Sequence, residues 1–168
     1  MLSVCGCGAV GSDDVDPDAA ETALLGQRDA VEQTAQGLVA ATKDVLGGGV
    51  LASKGRWEGC HSRFPEGYED FRYTADVRLE AGPGTPEDLA DDLREIADES
   101  GYAVEAADPD PDVPVRVSDG HVSASLADVP DLGAEGDVLI RLAAEPCVPV
   151  PEDQWSDWMS RDDSGPQV

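Results

Sequence analysis

Residues 68–80 alternate almost without error. Phe71, Tyr73, Ala75, Val77 and Leu79 fall on one parity, and Arg72, Thr74, Asp76 and Arg78 fall on the other. Successive strand side chains point to opposite faces, so this stretch reads as a half-buried strand with one dry and one wet face. A sheet built around such a strand has a core on one side and solvent on the other, which is the habit of antiparallel sheets.

The stretches on either side supply the cover. Asp16-Pro17-Asp18-Ala19 has the form of a helix start, with Asp as N-cap, Pro at the first position and an acid in the first turn. Leu24, Val31, Leu38 and Val45 then recur every seven residues, widened by Leu25, Val39 and Leu46, until Gly47-Gly48-Gly49 stops the pattern. One amphipathic helix over 17–46 follows, its stripe expected to dock on the sheet. A coiled coil is the competing reading, but the alternate heptad positions hold Arg28, Ala35 and Thr42. After the strand, Thr85-Pro86-Glu87-Asp88 opens a second helix with Leu89, Leu93, Ile96 and Ala97 inward and Gly101 at its end.

The second half reads as β. Tyr102-Ala103-Val104 starts a short strand, and Val113, Val115 and Val117 alternate up to Asp119-Gly120, a strong hairpin turn. Val122, Ala124 and Leu126 return from it, 131–136 turns again, and Val138, Ile140, Leu142 and Ala144 form the last strand. The expected class is α+β, an antiparallel sheet of about four strands packed by two helices in the order α-β-α-β-β-β. Residues 17–150 form its single domain, after a tether over 1–16 and before a partly disordered tail over 151–168. Within that tail, 154–159 reads as a short helix packing both Trp155 and Trp158 on the body.

Composition narrows what such a domain does. The formal charge is −25, from 36 acidic and 11 basic side chains. A surface of that sign repels nucleic acid and anionic headgroups, since tracking phosphates takes clustered Lys and Arg. No stretch approaches the ~20 apolar residues that span a bilayer.

The four cysteines carry the strongest hint. Cys60 sits just before the alternating strand and Cys147 just after the last one, both at element ends. Pairing them would close a long loop and stabilise the fold by roughly 4–5 kcal/mol on chain-entropy grounds, in an oxidising compartment. Two free buried thiols are the alternative; a zinc site is poorer, because neither Cys60-His61 nor His121 gives ligand spacing. Near the start, Val4-Cys5-Gly6-Cys7 fits a bacterial lipobox, with Gly6 at the cut and Cys7 the lipidated residue. Residues 8–16 would then be a tether, reaching about 15–18 Å as a flexible coil. Only six residues precede Cys7. A lipoprotein signal needs a basic and then an apolar region there, so the reading frame is expected to extend upstream of Met1.

The layout resembles the small secreted lipoproteins of actinobacteria, such as the mycobacterial LppA-like lipoproteins. The likeness rests on the lipobox, the Gly/Asp tether and helix, Trp57-Glu58-Gly59-Cys60 before a strand, Thr85-Pro86 at a helix start, the hairpin, and Glu145-Pro146-Cys147 at the close. It implies attachment to the outer face of the cytoplasmic membrane and no known catalytic activity.

Other motifs dissolve on inspection. No G-x-S-x-G, H-E-x-x-H, C-x-x-C or P-loop pattern occurs. Residues 6–11 spell G-x-G-x-x-G with no strand before and no helix after. Asp108, Asp110, Asp112 and Asp119 match EF-hand spacing, but Val113 stands where the loop demands Gly, and Pro109, Pro111 and Pro114 forbid its turns. His61 and His121, with Ser62 or Ser123 nearby, read as ordinary surface residues. Arg72, Arg78, Arg116 and Arg141 make either an anion-binding patch or cross-strand partners for Asp76 and its neighbours.

The sequence therefore points to a membrane-anchored extracytoplasmic lipoprotein, a non-enzymatic binding or structural module with no metal or cofactor and a protein partner in the envelope. The alternative is a soluble acidic inhibitor or immunity-type protein that covers a basic partner with its carboxylates.

Overall fold

The computed structural model describes residues 15–60, 68–80, 86–104, 115–128, 137–161, 163 and 165–168. In chain order these form α1 (Pro17–Leu46), β1 (Val50–Cys60), β2 (Tyr68–Leu79), α2 (Pro86–Glu99), β3 (Ala103–Val104), β4 (Val115–Ser118), β5 (Val122–Asp128), β6 (Val138–Ala144), β7 (Val148–Pro151), a 3₁₀ turn over Glu152–Gln154 and α3 (Trp155–Ser160). The fold is α+β, and every strand pairing is antiparallel.

The sheet is larger than the expected four strands. Its path runs β1-β2-β6-β5-β4-β3, with β7 also on β2. β1 lies along one side of β2, while β6 and β7 share the other side, end to end. Two of these strands escape the sequence pattern for physical reasons. On β1 the core-facing positions are Ser53, Gly55, Trp57 and Gly59, opposite Val77, Ala75, Tyr73 and Phe71. That face is mostly small, so its alternation is not hydrophobic. On β7, Pro149 and Pro151 suppress a strand reading. They are two residues apart, so the N–H groups they lack point the same way, and β7 pairs on one side only.

The long helix matches its expected bounds. The Asp16 carboxylate accepts a hydrogen bond from the Asp18 N–H at 3.0 Å, and Gly47 at φ 69° ends the helix, its N–H donating to the Lys43 carbonyl. Its stripe docks on the sheet: Leu24, Val31 and Leu38 are fully buried, whereas Val45, in the last turn, is 40% exposed. These residues meet Phe71, Tyr73, Ala75, Val77 and Leu79 of β2 and Ile140 and Leu142 of β6 in one core. α2 adds Ile96 and Ala97 to that core and ends at Gly101, φ 79°. The side chains of Leu89 and Leu93, and the expected cap at Thr85, lie outside the described residues, as do Val113 and the 131–136 turn.

α3 packs on β1 from the same side as α1. Trp158 is 2% exposed and stands edge-on to Trp57, ring centroids 4.8 Å apart, and Trp57 meets Tyr73 in the same way at 4.9 Å. The Arg161 guanidinium lies 3.7 Å from the centre of the Trp158 ring. Trp155, expected to pack beside it, is 39% exposed: in a six-residue helix (Trp155–Ser160) only one edge reaches the body.

The described residues at the end of the chain pack on the body. Gly165 and Pro166 are buried, and the Ser53 hydroxyl donates to the Pro166 carbonyl at 2.8 Å. Gln36 donates to the Gln167 carbonyl, and Arg161 pairs with Glu21 at 3.1 Å. The segment thus seals the seam between α1 and β1. Gly165, at φ 77°, lies so close to β1 that a Cβ there would come 2.7 Å from the Gly55 nitrogen.

Candidate functional site

All three helices cover one face of the sheet; among the described elements none packs on the other, where Arg116 and Arg141 are exposed and Asp70 and Thr74 are buried. Residues opposite one another on paired strands share a face, so the open face can be read from the register. One row crosses five strands: Lys54 on β1, Asp76 on β2, Arg141 on β6, Ser125 on β5 and Arg116 on β4. The next holds Arg56, Thr74, Ala143, Ser123 and Ser118. Arg72 and Arg78 of β2 belong to the same face. Lys54, Arg56, Arg72, Arg78, Arg116 and Arg141 are six of the chain's 11 Lys and Arg residues. In a chain of net charge −25, more than half of the positive charge is thus on one side of one sheet.

Those cations are not equivalent. Asp76 sits between two of them, accepting from Arg56 at 3.0 Å and from the Arg141 Nε at 2.9 Å. Partial burial pushes the Asp76 carboxyl up, but the hydrogen bonds from Arg141 and then Arg56 outweigh it and hold the group below the usual carboxylate range. Arg78 forms a close two-pronged pair with the buried Asp137. Arg141 is bound to Asp76 through Nε, and no carboxylate among the described residues bonds its terminal nitrogens. Arg116 has no carboxylate partner among the described residues. The Arg72 Nε is buried without a hydrogen bond among them.

Arg116 and Arg141 flank a shallow cleft of about 270 Å³. Their Cα atoms stand two strand spacings apart, about 10 Å, with Ser125 between them in register. Ser123, Ser125 and Ala143 form the floor, and Glu145 closes one end. The Ser123 hydroxyl donates to the Ala143 carbonyl at 3.4 Å. The arrangement offers two guanidinium forks, two hydroxyls and one carboxylate around a floor without bulk.

The hairpin beside the cleft fixes its edge. The Asp119 carboxylate accepts from the backbone N–H groups of His121 at 2.8 Å and Val122 at 2.7 Å. Burial pushes its carboxyl up, but the hydrogen bonds from the Val122 and His121 N–H groups, helped by the His121 charge, outweigh it and hold the group below the usual carboxylate range. Asp119 is therefore a turn residue, which accounts for the only part of the EF-hand spacing that is described. Glu145, just past β6, donates its N–H to the His121 carbonyl at 2.7 Å.

The remaining sequence candidates fall as follows. Cys60 and Cys147 form a disulfide, Cα atoms 6.4 Å apart, linking the end of β1 to the turn before β7. Those strands both pair with β2. Cys7, His61 and Ser62 lie outside the described residues. His121 is exposed at the hairpin, and Ser123 is in the cleft floor. Among the described residues no group of three His, Cys, Asp or Glu side chains could hold a metal ion, and no helix is long and apolar enough to cross a membrane. The sequence named the arginines on the strands and Asp76 as a cross-strand partner for them; it missed Arg56 as the second partner of Asp76 and the place of Glu145, because both depend on cross-strand register.

No family model, curated protein or solved structure matches the chain. What the site does must come from its own chemistry.

Proposed function

We propose that this chain is an extracytoplasmic binding module, held at the outer face of the cytoplasmic membrane by a lipid on Cys7, with the open sheet face as its working surface. It binds and does not transform what it meets there. The observation that carries the compartment is the Cys60–Cys147 bond, since structural disulfides form and persist in oxidising compartments. The lipobox at residues 4–7 supplies the anchor, and the layout shared with LppA-like lipoproteins supports the same placement. An acidic body gains nothing from anionic headgroups, so the lipid itself holds the protein.

The competing reading, an acidic inhibitor that covers a basic partner, expects a cytosolic protein with reduced thiols. The disulfide weighs against it, and so does the gathering of arginines on the sheet face away from the helices. The test expresses the gene from its native locus and supplies radioactive fatty acid to growing cells. Label on the wild type and none on Cys7→Ala is the expected result. An unlabelled wild type, or label that survives Cys7→Ala, overturns the anchor.

A further inference from the structure

We infer that the cleft between Arg116 and Arg141 is a binding site for a small zwitterion, its oxyanion end held by the two guanidinium groups and its cationic end by Glu145. The inference rests on the open face being the working surface, and it is independent of the lipid on Cys7.

The arginine end is built to receive an acid group. Asp76 occupies the Arg141 Nε, while the Asp76 carboxylate is shared with Arg56 on its far side. Ser125 stands in register between Arg141 and Arg116, with a hydroxyl and no large side chain to block approach. Arg116, without a carboxylate of its own among the described residues, completes a two-sided fork. Planar guanidinium groups grip carboxylate and phosphate oxygens through paired hydrogen bonds, which a single ammonium does not reproduce.

Charge balance then decides between a plain anion and a zwitterion. The molecule carries −25 overall, so an approaching net anion is repelled at long range, and within the cleft it meets Glu145 as well. A neutral zwitterion avoids both costs. It presents its negative end to Arg116 and Arg141 and its positive end to Glu145, four residues along the strand direction from Arg141. The small cleft matches a ligand below drug size.

The experiment titrates the oxidised, isotopically labelled full chain by two-dimensional NMR at constant ionic strength. Three probes are used: phosphorylethanolamine, 4-aminobutyrate and inorganic phosphate. The first two share the zwitterionic form and separate a phosphate from a carboxylate acid end; the third has no cation. Expected are saturable shifts at Arg116, Ser125 and Arg141 with at least one zwitterion, and binding of that zwitterion at least fivefold tighter than of phosphate. Arg116→Gln should weaken it about tenfold or more, the loss of one charged hydrogen-bond pair. Glu145→Gln should weaken the zwitterion severalfold while leaving phosphate equal or tighter. Arg94→Gln, which removes a half-buried α2 arginine paired with Asp91, should change nothing. Shifts that never saturate, indifference to Arg116→Gln, or phosphate binding as tightly as both zwitterions would each overturn the assignment. Loss of fatty-acid label on its own would not, so the two proposals fail separately.

Discussion

Opening the Cys60–Cys147 bond is the most informative perturbation of the fold. The two residues are 87 apart in sequence, so the bond closes a loop over half the chain. In the chain-entropy treatment, a loop of that length restrains the unfolded chain by about 15 cal/mol/K, or about 4.5 kcal/mol at 25 °C. Domains of this size are stable by roughly 5–15 kcal/mol, so the bond supplies a large part of the margin. The assay is urea unfolding of the oxidised wild type and of the Cys60→Ala, Cys147→Ala double variant. Trp57 and Trp158 report it well, because both are buried and in edge contact in the core. With a slope of about 2 kcal/mol per molar urea, the midpoint should fall by about 2 M. The slope itself should rise, since the variant's unfolded chain is less compact. A midpoint shift below about 0.5 M at unchanged slope would refute the reasoning. It would mean that the unfolded chain already holds β1 near β7 without the bond.

Two further outcomes test the packing and the charge network. Gly55→Ala places a methyl group on the Tyr73 ring, 2.7 Å from Cζ, with Tyr73 1% exposed and Gly165 Cα at 3.1 Å behind it; the expected loss is about 2–3 kcal/mol, read as a lower urea midpoint, and a neutral result would mean that this corner is loosely packed. For Asp76, whose folded pKa lies below its unfolded value, the stabilisation is fully present above the ordinary carboxylate range and is lost as pH falls through the folded value. Asp76→Asn should therefore lower the midpoint at pH 7 and flatten its decline between about pH 5 and pH 2, whereas a wild-type acid slope kept intact in the variant would assign that slope to other carboxylates.

Much of the fold can be read from the sequence, and what cannot has a common cause. α1 is legible because capping is local: Asp16, Pro17 and Gly47 set its ends through neighbours within a turn. The β4–β5 hairpin is legible for the same reason, with Asp119 and Gly120 closing it on themselves. β2 and β6 show because their core positions are large and apolar. β1 hides because Tyr73 and the C-terminal residues fill the space where its own side chains would be, so Gly55 is required where a strand pattern wants Val or Ile. The final residues hide because their hold on the body comes through backbone carbonyls of Pro166 and Gln167, which carry no sequence signature. The site divides the same way. Alternation alone places Arg72 and Arg78 on the wet face. Only the pairing of β2 with β6, and of β6 with β5, puts Asp76, Arg141, Ser125 and Arg116 in one row.

That row bears on why so acidic a chain keeps arginine on its sheet at all. An open antiparallel face needs polar side chains, and the commonest residues here would be Asp and Glu, yet like charges directly opposite on neighbouring strands repel. Arg56 and Arg141 around Asp76, and Arg78 against Asp137, avoid that repulsion and account for three of the six cations. Arg116 lies beyond the reach of this explanation. Its cross-strand neighbour on β5 is Ser125, which carries no charge to balance, and no described residue offers it a carboxylate. Lys54, Arg72 and Arg116 remain outside these pairs, and of the three only Arg116 lines the cleft. It is there that a ligand's acid group would find a guanidinium not already held by a carboxylate.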